Sequence, residues 1–115
     1  MNSKQLLGAT GEARARRFLE SRGYEFVAAN VRTRRGEVDL VMRDGGELVF
    51  VEVKTRRFVG TGLPETAVTP RKLRHIVRVA EAWRLATRHV GPWRVDVVAI
   101  DPGGIRHHAN ATVVY

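Results

Sequence analysis

The chain contains no cysteine, which excludes disulfides and thiolate chemistry and is compatible with a reducing compartment. It also lacks an apolar stretch long enough for a signal peptide or a membrane span, since Leu6-Leu7 runs straight into Gly8. The expected location is therefore cytoplasmic, with no membrane partner. Internal repeats, linkers and low-complexity segments are missing too. The 115 residues read as a single domain, 1–115, long enough to build its own core. Acidic side chains are scarce: 12 Asp and Glu stand against 20 Lys and Arg, a net charge of +8. That surplus favours polyanionic partners such as DNA, RNA or an anionic surface. With 43% hydrophobic and 28% charged residues, the chain is globular rather than disordered.

Punctuation along the chain sets the elements. Ser3 can cap a first helix that reaches about Arg22 and stops at Gly23, with Leu7, Ala15, Phe18 and Leu19 as a partial apolar stripe. Tyr24–Val31 reads as a strand and Arg32–Gly36 as a basic loop; strands Glu37–Arg43 and Glu47–Thr55 follow. Alternation in these two strands puts Val38, Leu40, Val49, Val51 and Val53 on one face, and Val41, Leu48 and Phe50 on the other. A sheet that is apolar on both faces is covered on both faces, so the class is an α/β layered fold. Arg57–Pro64 is a glycine-containing loop. Thr69-Pro70 opens a second helix, whose stripe of Leu73, Ile76, Val77, Ala80 and Trp83 runs towards Arg88. Gly91-Pro92 ends it, Trp93–Asp101 is a strand, and a weak last strand lies near Ile105–Tyr115. The order is αβββαβ, with one more strand allowed.

Two segments carry the chemistry: Gly36–Val41 (GEVDLV) and Val49–Arg56 (VFVEVKTR). A two-residue loop at Gly45-Gly46 pairs Asp44 with Glu47, and that register sets Asp39 opposite Glu52 and Glu37 opposite Lys54. Directly opposed residues share a face, about 5 Å apart at Cβ, where two carboxylates repel unless a cation sits between them. A loop at Asp44-Gly45 would instead face Asp39 with Phe50 and leave Glu52 as a diagonal neighbour. A three-residue loop with a bulge would change the alternation altogether.

Asp39 and Glu52 together suit a divalent cation, which one or two carboxylates hold while waters and substrate phosphate complete the shell. Val53 turns its side chain into the core while its backbone carbonyl can reach such a metal. Lys54 points back to the site, able to orient or deprotonate a water or offset phosphate charge. Metal-assisted phosphodiester hydrolysis needs this set. The bland alternative is a pair of cross-strand salt bridges on a wet face. Against it, Glu52 and, at its end, Lys54 belong to a run (Leu48–Val53) that otherwise reads as buried, and buried charges persist mainly when paired or metal-bound.

Asp39 followed by Glu52-x-Lys54 resembles the PD-(D/E)xK nuclease superfamily. The wider chain resembles the YraN family, a small bacterial group related to archaeal Holliday-junction resolvases. Gly11-Glu12, Asn30, the two strand segments, Lys72, Arg94–Val98 and Asn110-Ala111 carry that second likeness. Val38 stands where the superfamily name has proline, and Leu73 follows Lys72 where related proteins often have glutamine. The resemblance implies a restriction-endonuclease-like fold, a central mixed sheet flanked by helices, and a Mg²⁺- or Mn²⁺-dependent site. Asp39 and Glu52 would then be metal ligands, Lys54 the catalytic lysine and Glu12 the helix-borne acid that completes the centre. Resolvase-like nucleases act as dimers on two-fold symmetric substrates, so a homodimer is allowed.

Basic residues flank the two strands: Arg32, Arg34 and Arg35 before the first, Arg56 and Arg57 after the second, with Lys72 in the second helix. Such residues contact phosphates without reading sequence. No recognition helix or finger is evident, so the expected activity is structure-selective DNA cleavage, on branched or damaged duplexes, with a non-catalytic nucleic-acid-binding module as the alternative. Arg14, Arg17, Arg22 and Arg88 read as solvated surface charge. His107 and His108 are adjacent on a strand, face opposite ways and read as surface histidines. Asp96, a charge inside an apolar strand, either pairs with an arginine or supports the site.

Overall fold

The computed structural model describes residues 3–57 and 62–111, with side chains from Thr10 onward, so the Ser3 cap, Leu7 and the expected strand beyond Ala111 lie outside it. Helix α1 (Ser3–Ser21) stops before Gly23, whose φ of 92° is one that only glycine adopts freely. Strands β1 (Glu25–Thr33), β2 (Gly36–Asp44) and β3 (Glu47–Thr55) form an antiparallel meander. A 3₁₀ turn at Pro64–Ala67 leads into α2 (Pro70–Thr87), and β4 (Trp93–Asp101) and β5 (Gly104–His108) complete a mixed sheet of order β1-β2-β3-β4-β5. β3 and β4 run parallel, so their connection must cross over the sheet, and α2 is that crossover. Among the described residues no helix is long and apolar enough to cross a membrane.

Local chemistry explains most boundaries. Thr69 caps α2, its Oγ1 accepting the Lys72 N–H at 3.2 Å, with Pro70 in the first turn. Asp44 pairs with Glu47 across Gly45-Gly46, Gly45 having a φ of 60°, and the expected register holds as far as Leu40 opposite Val51. The predicted Arg32–Gly36 loop is shorter than expected. β1 continues to Thr33, which pairs with Gly36, leaving only Arg34-Arg35 as the turn. Gly36 allows this tightness: its φ is 136°, and an added Cβ would stand 2.5 Å from His75 Nε2 of α2.

Both sheet faces are covered. On one, α1 supplies Ala15 and Leu19 against Leu40, Met42, Val49, Val51, Val98 and Ile100. On the other, α2 packs Leu73, Ile76, Val79 and Ala80 onto Val41, Leu48, Phe50, Val95 and Val97. Phe50 is fully buried there, edge-on to Trp83 and Trp93 at 5.7 and 5.6 Å. Val38 departs from the predicted alternation, lying in the α2 cluster although Leu40 faces α1. The pleat turns over between the Ala29–Leu40 and Val31–Val38 pairs, where Asn30 takes a φ of 51°.

Gly11 sits in α1 where a Cβ would run into Thr55 Cγ2 of β3. Gly11→Ala gains at most about 1 kcal/mol of helix propensity but loses about 1–3 kcal/mol to overpacking. Net destabilisation in urea unfolding is therefore expected, with stability restored when Thr55→Ser removes the obstructing methyl. A Gly11→Ala protein more stable than wild type would show that α1 does not need this close approach.

Candidate functional site

Beyond Leu40–Val51 the ladder between β2 and β3 stops. β2 stays paired to β1, through Val31–Val38 and Arg32–Glu37, while β3 continues its parallel pairing with β4 to Thr55. Asp39 stands at this fork. Its Oδ2 accepts the Val53 N–H at 2.7 Å, taking the place of a main-chain partner on that side of β3. The predicted pairing of Glu37 with Lys54 does not form, because the strands have separated. Glu37 instead pairs with Arg32 at 3.1 Å, both side chains well exposed.

Asp39 and Glu52 do meet. Burial, then a hydrogen bond shared with Asp39 and the Asp39 charge, push the Glu52 carboxyl up to about 9, outweighing the opposing charges of Lys72 and Lys54. At neutral pH Glu52 therefore keeps its proton beside Asp39. Lys72, in the first turn of α2, lies close enough for its charge to act on Glu52. Glu12 on α1 is half-buried near Asp39. Burial and the Asp39 charge raise its pKa, while a hydrogen bond with Asn30 opposes them. Asn30 entered the sequence analysis only as part of the family likeness, without a role; its signal was a polar residue inside a strand, and the structure adds a left-handed φ of 51°. Among the described residues, no three His, Cys, Asp or Glu side chains are gathered as a ready metal cage. The centre is a carboxylate pair with a third acid nearby.

Five of the predicted basic residues divide among three recesses. Arg32 and Arg34 line a groove with Ala82, Trp83 and Ala86 of α2, and Arg35 lines another with Arg78. Arg56 and Arg57 line a recess against α1.

The family model described as "Uncharacterised protein family UPF0102" matches residues 11–100, a span that includes Glu12, Asp39, Glu52, Lys54 and Lys72. The chain belongs to this family. A UPF0102 protein of Symbiobacterium thermophilum is 48% identical over 99 residues, covering 84% of this chain and 83% of its own length. One of Geobacter sulfurreducens is 47% identical over 114 residues, at 93% and 88% coverage. One of Lachnoclostridium phytofermentans is 42% identical over 115 residues, at 98% of both chains. This is the YraN group to which the sequence pointed, and the UPF0102 names state membership without an activity.

In this UPF0102 chain Asp96 is paired, not a member of the carboxylate centre. It is fully buried on the face covered by α1, and it accepts from Arg94 Nε at 3.0 Å and the Asn110 N–H at 2.9 Å. His107 Nε2 lies 2.7 Å away. Burial alone would raise the Asp96 pKa, but the His107 and Arg94 hydrogen bonds outweigh it and hold the carboxyl below its ordinary value. The expectation of a surface His107 is thereby corrected: its side chain is 5% exposed, edge-on to Phe18 and Tyr24. Adjacent residues do face opposite ways, and His108 meets Glu65 on the other face at 2.9 Å.

The raised Glu52 pKa has a sign that can be measured. Between the ordinary value of 4.5 and about 9 the folded chain binds more protons than the unfolded one, so stability falls as pH rises through that window. In EDTA, the melting temperature of Glu52→Gln should overtake wild type progressively across this range, by several degrees, the shift that about 1 kcal/mol produces in a domain of this size. Parallel curves for the two proteins would mean that Glu52 ionises normally.

Proposed function

We propose that this chain is a metal-dependent endonuclease domain with a restriction-endonuclease-like fold, cutting DNA selectively by structure. The observation that carries the reading is the Asp39–Glu52 pair, held side by side at the fork of β2 and β3 with Lys54 and Lys72 close by. A five-stranded mixed sheet with a helix on each face supports it, as does the resemblance of the ordered residue set.

The residues fit a Mg²⁺ or Mn²⁺ ion. Two neighbouring carboxyls, one of them held above its ordinary pKa by burial and by the other, form an oxygen donor set that a cation would suit. Asp39 and Glu52 would hold the ion, with the Val53 carbonyl as a further oxygen and Glu12 as the acid completing the set. When bound, the ion supplies Lewis acidity to a phosphodiester and to an attacking water. Glu52 gives up its proton to become a ligand, so metal affinity rises with pH. Lys54 orients the water or stabilises charge on the phosphate, and Lys72 supports Glu52 in its ionised form. The arginines lining the three recesses hold the DNA backbone.

A second reading is a nucleic-acid-binding module without turnover. It is favoured by the absence, among the described residues, of a preformed set of three metal-ligating side chains.

Cleavage of single-stranded, duplex, flap and four-way-junction DNA in Mg²⁺, Mn²⁺ or EDTA separates the two. The expected result is metal-dependent cutting, greatest on branched DNA, reduced at least 100-fold by Asp39→Asn or Lys54→Ala. Binding of DNA that ignores both the metal and Asp39→Asn, without cutting, would overturn the nuclease reading.

A further inference from the structure

The recess at the end of β3 has features that the carboxylate centre does not account for. It measures about 200 Å³ and lies between Thr10, Gly11 and Arg14 of α1, Arg56 and Arg57 after β3, and the β4–β5 turn at Asp101. Gly11 brings α1 close to β3 at this wall, since a Cβ there would run into Thr55. Three guanidinium groups line it, and none has an ion-pair partner among the described residues. The Arg56 Nε is buried and has no hydrogen-bond partner among the described residues, which leaves a desolvated donor. The Arg56 main chain is held, its N–H donating to the Ile100 carbonyl at 2.9 Å.

The one carboxylate on the lining is already committed. Asp101 Oδ2 accepts from Arg106 Nη2 at 2.7 Å, and its Oδ1 accepts the Gly103 N–H at 2.8 Å. The recess is therefore short of negative charge, with one donor that water does not reach. A compact oxyanion with several acceptor atoms matches this, and guanidinium forks match phosphate in particular. Position favours the same group. Gly11 precedes Glu12 in α1, and Arg56 lies two residues past Lys54, roughly 7 Å further along the strand direction.

We propose that this recess is a phosphate-binding subsite, in which Arg14, Arg56 and Arg57 hold a phosphate group of the nucleic acid next to the one at the carboxylate centre. The proposal rests on reading that centre as a nucleic-acid site, and it gives Arg14 a role in place of the solvated surface charge its sequence position suggests. A terminal phosphomonoester and an internal phosphodiester present the same chemistry to the arginines.

The test uses the full chain in EDTA, so that cleavage plays no part. Inorganic phosphate is titrated at constant ionic strength into wild type, Arg56→Gln, Arg14→Gln and the exposed control Arg88→Gln. Binding should weaken about tenfold in each of the first two variants, the size of one charge-assisted contact, and stay unchanged in the third. Arg14 is an exposed helix residue, so its variant folds even if Arg56→Gln does not. Short labelled single strands with and without a terminal phosphate identify the source. A preference for the phosphorylated strand that vanishes in the variants assigns a chain end. Equal weakening for both strands assigns an internal phosphate. Phosphate binding that is absent from wild type, or unaffected by both Arg14→Gln and Arg56→Gln, overturns the subsite. Failure of metal-dependent cutting with this binding intact would count against the nuclease reading alone.

Discussion

Where β2 leaves β3, the amide of Val53 loses the partner that a continuing ladder would supply, and the Asp39 carboxylate takes that place at 2.7 Å. A buried amide left unpaired costs about 1–3 kcal/mol, so the strands can separate only because a side chain satisfies it. The separation makes room for charge inside a sheet that is otherwise apolar on both faces. Glu52 lies in the opening next to Asp39, the charge of Lys72 acts on it from α2, and Glu12 lies near Asp39 on α1. The acids and bases of the centre thus come from both helical layers, and they meet where the sheet is locally incomplete.

The centre and the Asp96 network handle buried charge in opposite ways. Asp96 is surrounded by donors, and its ionised form is favoured despite full burial. Glu52 has a carboxylate for its nearest partner and two lysines that only partly compensate, so its neutral form is favoured. A structural carboxylate is one whose charge the fold has already answered. One whose charge is left unanswered in a partly open position is suited to taking up a cation.

Much of this was legible in the sequence, because the features concerned are local. Gly45-Gly46 set the hairpin register, Thr69-Pro70 set the start of α2, and apolar residues on both strand faces required two covering layers. The proximity of Asp39 to Glu52 was expected from that register, although the ladder ends one pair earlier, at Leu40–Val51, and the two do not pair within it. What failed was its extension: Glu37 opposite Lys54 assumed a ladder that goes on, and strand pairing is decided by competition with β1 and β4, which no local pattern records. The reversal of the pleat at Val38 was hidden for a similar reason, since it depends on one left-handed residue in the neighbouring strand. His107 shows a further gap. Alternation told which way it points but not that Asp96, Phe18 and Tyr24 would enclose it there.

Arg94 joins β4 to the hairpin tip, bonding Glu47 Oε1 at 2.6 Å and Asp44 Oδ2 at 3.1 Å as well as Asp96. The facing segments of β3 and β4, Phe50–Val53 and Val95–Val98, are mostly valine. Sliding one past the other by two residues would keep every side chain on its proper face and exchange one valine for another. Hydrophobic packing therefore discriminates weakly between those alignments. The guanidinium fork discriminates strongly, because a slip would carry it about 7 Å from the hairpin tip and strand charges in the interior. Arg94 acts as the index pin of the parallel pair, and through it the tip of the hairpin sets which residue of β4 lies beside Glu52.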